Sequence, residues 1–212
     1  MLVIFDCDGV LVDSEPIANA LLASYVTDLG LPMSREESVA AFMGRSWAAG
    51  IELIEERLGH AVPDDFDARY HAELQAAFER ELQAVHGIEA ALDAITEPRC
   101  VASSGTHERI RSSLRLTGLL DRFPDETIFS AEDVEHGKPA PDLFLHAAAS
   151  MGFAARDCVV VEDSPAGIEG ALAAGMRVLG YGVAFDGAET FASMDELPAL
   201  LSGSAPRSAA AP

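Results

Sequence analysis

Two carboxylates two residues apart, Asp6 and Asp8, follow directly on the apolar run Leu2-Val3-Ile4-Phe5, with no basic residue near them in the chain. A carboxylate at the end of a buried strand is costly unless its charge is compensated, and a second one close by raises that cost. A divalent cation answers both problems. All-oxygen donors suit Mg²⁺, which takes a few carboxylates together with water and phosphate oxygens. A second acidic pair, Glu162-Asp163, ends the run Cys158-Val159-Val160-Val161, where Ser164 can cap and Pro165 can open the next helix. Two further segments offer what an anionic ligand needs. Ser103-Ser104-Gly105-Thr106 supplies hydroxyls and backbone N–H groups at a helix start, and Gly137-Lys138-Pro139 sets one lysine on a turn. Alone, each has a plainer reading as a turn, cap or solvated residue. Together, each at the end of a strand-like run or the start of a helix, they describe a metal-assisted phosphate site.

The elements that must position these residues are short runs rich in β-branched residues. They lie at Leu2 to Phe5, Arg99 to Ala102, Thr127 to Phe129, Cys158 to Val161 and Arg177 to Leu179. Helical patterns such as Gly105 to Leu119 and Pro141 to Met151 separate them, so the second half reads as strand-helix repeats of an α/β, doubly wound parallel sheet. In such a sheet, ligands bind at the carboxyl ends of the strands. Residues 6–98 separate the first two strands, where a crossover helix needs only about a dozen residues. An insertion is therefore expected. It is helical by pattern: Phe66, Tyr70, Leu74, Phe78 and Leu82 recur every fourth residue, as do Ile17, Leu21 and Tyr25, and Ser34 with Glu37 spells a capping box. The expected organisation is an α/β core of residues 1–13 and 85–203, a helical cap of residues 14–84, and a small-residue tail, 204–212, without order.

Composition narrows the partners. The chain has 212 residues, with 14 Lys and Arg against 35 Asp and Glu, a formal charge of −21 that disfavours nucleic acid and anionic membranes. Hydrophobic residues make up 49%, enough for an ordinary packed core. There is no apolar run long enough to span a bilayer and no basic leader, so a cytoplasmic monomer is expected. Cys7, Cys100 and Cys158 cannot all pair and sit in or beside apolar runs, which suggests reduced core thiols.

With these motifs in hand, the sequence resembles the haloacid dehalogenase superfamily, in its branch with a helical cap after the first strand. Asp6 to Glu15 (DCDGVLVDSE) matches the family's first motif, Ser103 its second, Lys138 in GKPAPD its third, and Glu162-Asp163 its fourth, so that the likeness runs from about Leu2 to Gly182. Within the superfamily it is similar to β-phosphoglucomutases and sugar-phosphate phosphatases. The resemblance implies that Asp6 is a nucleophile forming an aspartyl phosphate and that Asp8 is the general acid and base. It also implies Mg²⁺ on the Asp6 carboxylate, the Asp8 backbone carbonyl and Asp163, with Glu162 a further or an outer ligand. Ser103, the Ser104 N–H and Lys138 would bind the phosphoryl group. Cys7 is expected to point away from the aspartates, and as a rival nucleophile it lacks an arginine at position 13, which is Asp.

The cap is expected to set specificity, with Arg45 pairing an anionic substrate group and Trp47 either stacking on a sugar or anchoring the cap core. Val12 to Ser14 and Ala84 to Gly87 are placed as hinges. Of His60, His71, His86, His107, His136 and His146, only His107 is expected near substrate. The stretch Ser14 to Asn19 lacks the histidine expected of a mutase, and the cap lacks the lysine a phosphonate-cleaving relative would use for a Schiff base. A phospho-accepting signalling domain would need neither Asp8 nor a cap. What remains is a Mg²⁺-dependent phosphatase of a small phosphorylated metabolite, a sugar phosphate or sugar-acid phosphate such as 6-phosphogluconate, with a phosphosugar mutase as its nearest rival.

Overall fold

The computed structural model describes residues 1–42 and 47–203. The chain divides into two compact units, one of residues 1–12 and 84–212 and the other of Asp13–Gln83.

In the first unit, six parallel strands are ordered β3-β2-β1-β4-β5-β6: β1 (Leu2–Phe5), β2 (Arg99–Ser103), β3 (Ile128–Ser130), β4 (Cys158–Glu162), β5 (Arg177–Tyr181) and β6 (Glu189–Phe191). Parallel strands are covered on both faces, which is why β1 and β4 read as unbroken apolar runs. All four β1 residues are fully buried. Leu2 and Ile4 pack with Cys100, Val160, Leu143, Phe144 and Ile168, while Phe5 meets the edge of Phe123, ring centroids 6.2 Å apart. All three cysteines are buried and none is in a disulfide.

The chain steps from β1 to β2 and β3 on one side and then to β4, β5 and β6 on the other. The order therefore reverses beside β1, and there the crevice at the carboxyl ends of the strands opens. Strand β6 was not anticipated: a short edge strand, half-exposed and with only Phe191 buried, has no apolar run to betray it. Around the sheet lie α5 (Ile88–Ala94), α6 (His107–Leu116), α7 (Asp142–Ser150), α8 (Pro165–Ala173) and α9 (Leu197–Leu201).

The second unit holds α1 (Glu15–Asp28), α2 (Arg35–Phe42), α3 (Trp47–Leu58) and α4 (Phe66–Glu81). The α4 stripe Phe66, Tyr70, Leu74 and Phe78 is buried as its spacing requires, with Tyr25 edge-on to Phe66 and Tyr70 at 5.6 and 5.7 Å. The capping box forms in full, Glu37 N–H donating to Ser34 Oγ at 3.1 Å and Ser34 N–H to Glu37 Oε2 at 2.8 Å. In α1 the buried face is Leu22, Ala23, Tyr25 and Val26, leaving Ile17 and Leu21 half-buried. That helix is apolar around most of its circumference, so period alone does not choose a face. A buried hydrogen bond from Ser38 Oγ to Asn19 Oδ1, 3.1 Å, helps to set it.

Candidate active site

The first aspartate leaves β1 still in register, its N–H donating to the Val161 carbonyl at 3.0 Å. The loop then turns on itself. Leu11 and Val12 N–H groups donate to the Cys7 carbonyl at 2.9 and 3.0 Å, and Gly9 takes a left-handed φ of 79°. A Cβ on Gly9 would stand 1.9 Å from the Asp163 carboxylate, so only glycine lets the loop after β4 approach this closely. Val12 pairs with Ala84 in an isolated antiparallel bridge.

Glu162 is fully buried at the end of β4. Its Oε2 accepts hydrogen bonds from the N–H groups of Asp163 and Ser164 and from Ser164 Oγ, each at 2.9 Å. Its Oε1 accepts from Lys138 Nζ at 2.7 Å. Ser164 also caps α8, accepting from Gly167 N–H at 3.1 Å, and Pro165 opens that helix. A Cβ on Gly167 would overlap Glu162 Oε1 at 1.7 Å. Glu162 thus has both oxygens committed to protein donors, and its place is to hold Lys138 and the Asp163 loop.

Lys138, the chain's single lysine, bridges the cluster, its Nζ 2.6 Å from Asp6 Oδ1 and its side chain 4% exposed. Burial alone would pull its pKa down, but Asp6 and Glu162 outweigh that and hold the ammonium above the ordinary lysine range. Burial pushes Asp6 up to about 7, with Glu162 and Asp8 adding to the rise and Lys138 opposing it. Burial, reinforced by Asp8 and Asp6, likewise pushes the Cys7 thiol well up, which argues against a thiolate nucleophile.

Asp6, Glu162 and Asp163 each present an oxygen within 4.8 Å of the others. Burial together with the neighbouring Glu162 and Asp8 charges keeps Asp6 raised even with Lys138 against it. An oxygen-only donor set of this kind fits a hard divalent cation.

Ser103 ends β2 beside β1, buried, its Oγ accepting from Gly105 N–H at 3.1 Å, while Ser104 is exposed. The loop is braced from below by Ser130 Oγ, which donates to the Gly105 carbonyl at 2.7 Å. His107 engages the turn after β3 through both its backbone and its ring. Its N–H donates to Glu132 Oε2 at 2.9 Å and its Nε2 lies 2.8 Å from Asp133 Oδ1, so it ties α6 to the turn after β3. Trp47 is an anchor within its own unit, stacked on Tyr70 at 4.6 Å and donating from Nε1 to Asp67, so one ring face is already taken. Arg45 lies outside the described residues, as does the tail at 204–212.

One residue escaped the sequence reading. Arg109 Nη2 donates to Asp8 Oδ1 at 3.2 Å. The clue was its position, since a cation in the first turn of a helix opposes the helix dipole and invites a reason.

A doubly wound sheet with a helical insertion after its first strand, and with buried carboxylates around one ammonium at its switch point, defines a class of α/β hydrolase. A model of the haloacid dehalogenase-like hydrolase family matches residues 1–175. The 6-phosphogluconate phosphatase of Escherichia coli is 34% identical over 208 residues, 93% of each chain. Among solved structures, a haloacid dehalogenase-like protein of unknown function from Agrobacterium tumefaciens superposes with a TM-score of 0.88 at 37% identity, over 95% of this chain and 97% of that one. A family hydrolase from Deinococcus radiodurans with bound phosphate and sodium gives 0.79 at 30% identity, over 96% and 95%. The chain belongs to the haloacid dehalogenase-like hydrolase family. It is an enzyme, a phosphomonoester hydrolase of that type.

Proposed function

We propose that the protein is a Mg²⁺-dependent phosphatase of small sugar phosphates or sugar-acid phosphates such as 6-phosphogluconate, acting through an aspartyl phosphate on Asp6. The observation that carries this reading is the Lys138 ammonium held 2.6 Å from Asp6 Oδ1 within a cluster of three carboxylates. The 34%-identical 6-phosphogluconate phosphatase supports the substrate class, and the relative with bound phosphate and sodium supports binding of a phosphate and of a cation in this family.

In this mechanism the Asp6 carboxylate attacks phosphorus. The ester P–O bond breaks, and Asp8 gives its proton to the departing sugar oxygen. Asp8, now a carboxylate, takes a proton from water as that water attacks the phosphorus of the aspartyl phosphate, breaking the acyl P–O bond and restoring Asp6. Lys138, the Ser103 hydroxyl and the Ser104 N–H hold the phosphoryl oxygens, and Glu162 keeps Lys138 in position. Asp6, Asp163 and the Asp8 carbonyl would hold Mg²⁺, which supplies the positive charge that lets an anionic nucleophile meet a phosphate dianion.

The test is release of inorganic phosphate from 6-phosphogluconate. Turnover should require Mg²⁺, stop on chelation, and vanish in Asp6→Asn while the fold persists by circular dichroism. Turnover that survives chelation overturns the metal assignment. Near-normal kcat in Asp6→Asn overturns the nucleophile, and isomerised sugar phosphate forming faster than free phosphate would make the enzyme a mutase.

A further inference from the structure

Arg109 stands where helix physics disfavours it. It is the third residue of α6, its N–H donating to Oγ1 of the N-cap Thr106 at 3.2 Å, so a full positive charge sits at the positive end of the helix dipole. Its stem lies over the Ser103 loop: a Cβ on Gly105 would come within 3.6 Å of Arg109 Cδ and 3.5 Å of Ser103 Oγ. From there Nη2 reaches Asp8 Oδ1, with 33% of the Arg109 side chain and 27% of the Asp8 side chain open to solvent.

The two cations of the site divide its work. Lys138 is buried on Asp6, where phosphorus would be attacked. Arg109 bonds to Asp8, the group that meets the departing oxygen, and so lies on the side of the part that leaves. Its contact with Asp8, at 3.2 Å between partly solvated groups, is weak. A planar guanidinium gains more from a carboxylate it can grip through two N–H groups.

We infer that Arg109 reads the leaving group, exchanging Asp8 for a carboxylate on the released part of the substrate, so that phosphomonoesters of sugar acids are preferred over those of neutral sugars and alditols. The inference rests on the phosphatase reading above.

The experiment measures kcat and KM for 6-phosphogluconate and glucitol 6-phosphate, which share chain length and differ in carboxylate against hydroxymethyl. The wild type should favour the acid in kcat/KM. Arg109→Met should shrink that preference about ten- to hundredfold, chiefly by raising KM for the acid, the range expected for one charge-assisted contact. Arg109→Lys, which keeps the charge without the fork, should fall between and guards against a variant that fails to fold. A wild type that favours the alditol overturns the inference. So does an Arg109→Met enzyme that loses kcat equally on both substrates, which would make Arg109 a positioning residue for Asp8. Failure of the phosphatase reading is separately visible, as no phosphate release by the wild type from either substrate or from p-nitrophenyl phosphate.

Discussion

Glutamine at position 162 keeps the shape of a fully buried side chain while removing its charge and one of its two acceptors. Glu162 accepts from four donors: Lys138 Nζ on Oε1, and the Asp163 N–H, Ser164 N–H and Ser164 hydroxyl on Oε2. A glutamine has one acceptor oxygen. If that oxygen stays with the three donors of the Asp163 loop, its NH₂ faces the Lys138 ammonium, donor against donor. The opposite flip loses three bonds to keep one. The first arrangement is the cheaper. It forfeits a charge-assisted bond, about 1.5–3 kcal/mol, and leaves an ammonium less compensated in the interior. Breaking a buried pair outright costs about 3–5 kcal/mol, but Lys138 keeps Asp6 at 2.6 Å, which holds the loss near the lower limit, about 3 kcal/mol.

For a chain of this length, that corresponds to a fall in Tm of about 6–12 °C. The assay is thermal unfolding of the metal-free protein at pH 8, where Asp6, pushed up to about 7, is ionised and still holds the lysine. A parallel measurement of kcat should show about a hundredfold loss, because an ammonium displaced by about 1 Å no longer meets the phosphoryl oxygens. A Glu162→Gln protein that melts within about 2 °C of the wild type and keeps its kcat would refute the claim that Glu162 holds Lys138.

Asp8→Asn should lower kcat by at least about two orders of magnitude, as loss of general acid-base assistance requires, yet Mg²⁺ should still raise its Tm, because the proposed ligand there is a backbone carbonyl. Loss of Mg²⁺ protection with an unchanged metal-saturated rate would reverse that assignment. Asp133 supplies a pH test: burial pushes its carboxyl up, but the Ser130 N–H and the His107 ring outweigh this and hold it below the ordinary carboxylate range. A depressed carboxylate stabilises the fold above its unfolded pKa and loses that contribution as pH falls through its folded pKa. Asp133→Asn should therefore melt about 2–4 °C below wild type at pH 7, about 1 kcal/mol after discounting for its partial exposure, and the two should converge as pH falls through the lowered folded-state pKa of Asp133; a gap that widens in acid would contradict the pair.

What could be read from the sequence was whatever local chemistry makes costly. The runs Leu2 to Phe5 and Cys158 to Val161 could only be strands buried on both faces, and carboxylates directly after them demanded compensation. The Ser34 and Glu37 spacing announced a helix start that the hydrogen bonds bear out. The rest was hidden for identifiable reasons. Strand β6 buries only Phe191 and needs no apolar run. The face of α1 was ambiguous because nearly every side is apolar. Trp47 could equally have met a ligand or Tyr70, and only tertiary packing decides between two aromatic partners. The bond between Arg109 and Asp8 joins residues 101 positions apart, and no pattern along the chain encodes it.

The acidity of the chain and the acidity of the site are distinct physical matters. Most of the 35 carboxylates are exposed, on helices, turns and loops alike, where water screens them and they cost little. At the switch point the screening is absent. Asp6 and Glu162 are buried, Asp163 is brought against Gly9 at a distance no side chain would allow, and a single ammonium stands among them. Those close approaches are purchased with glycines at 9 and 167, whose lack of a Cβ is what lets like charges converge. Such a cluster repels a phosphate dianion until more positive charge arrives. A cation and an anionic substrate must therefore favour one another's binding here. Lys138 cannot remove that dependence, since its charge is already shared between Asp6 and Glu162 at 2.6 and 2.7 Å.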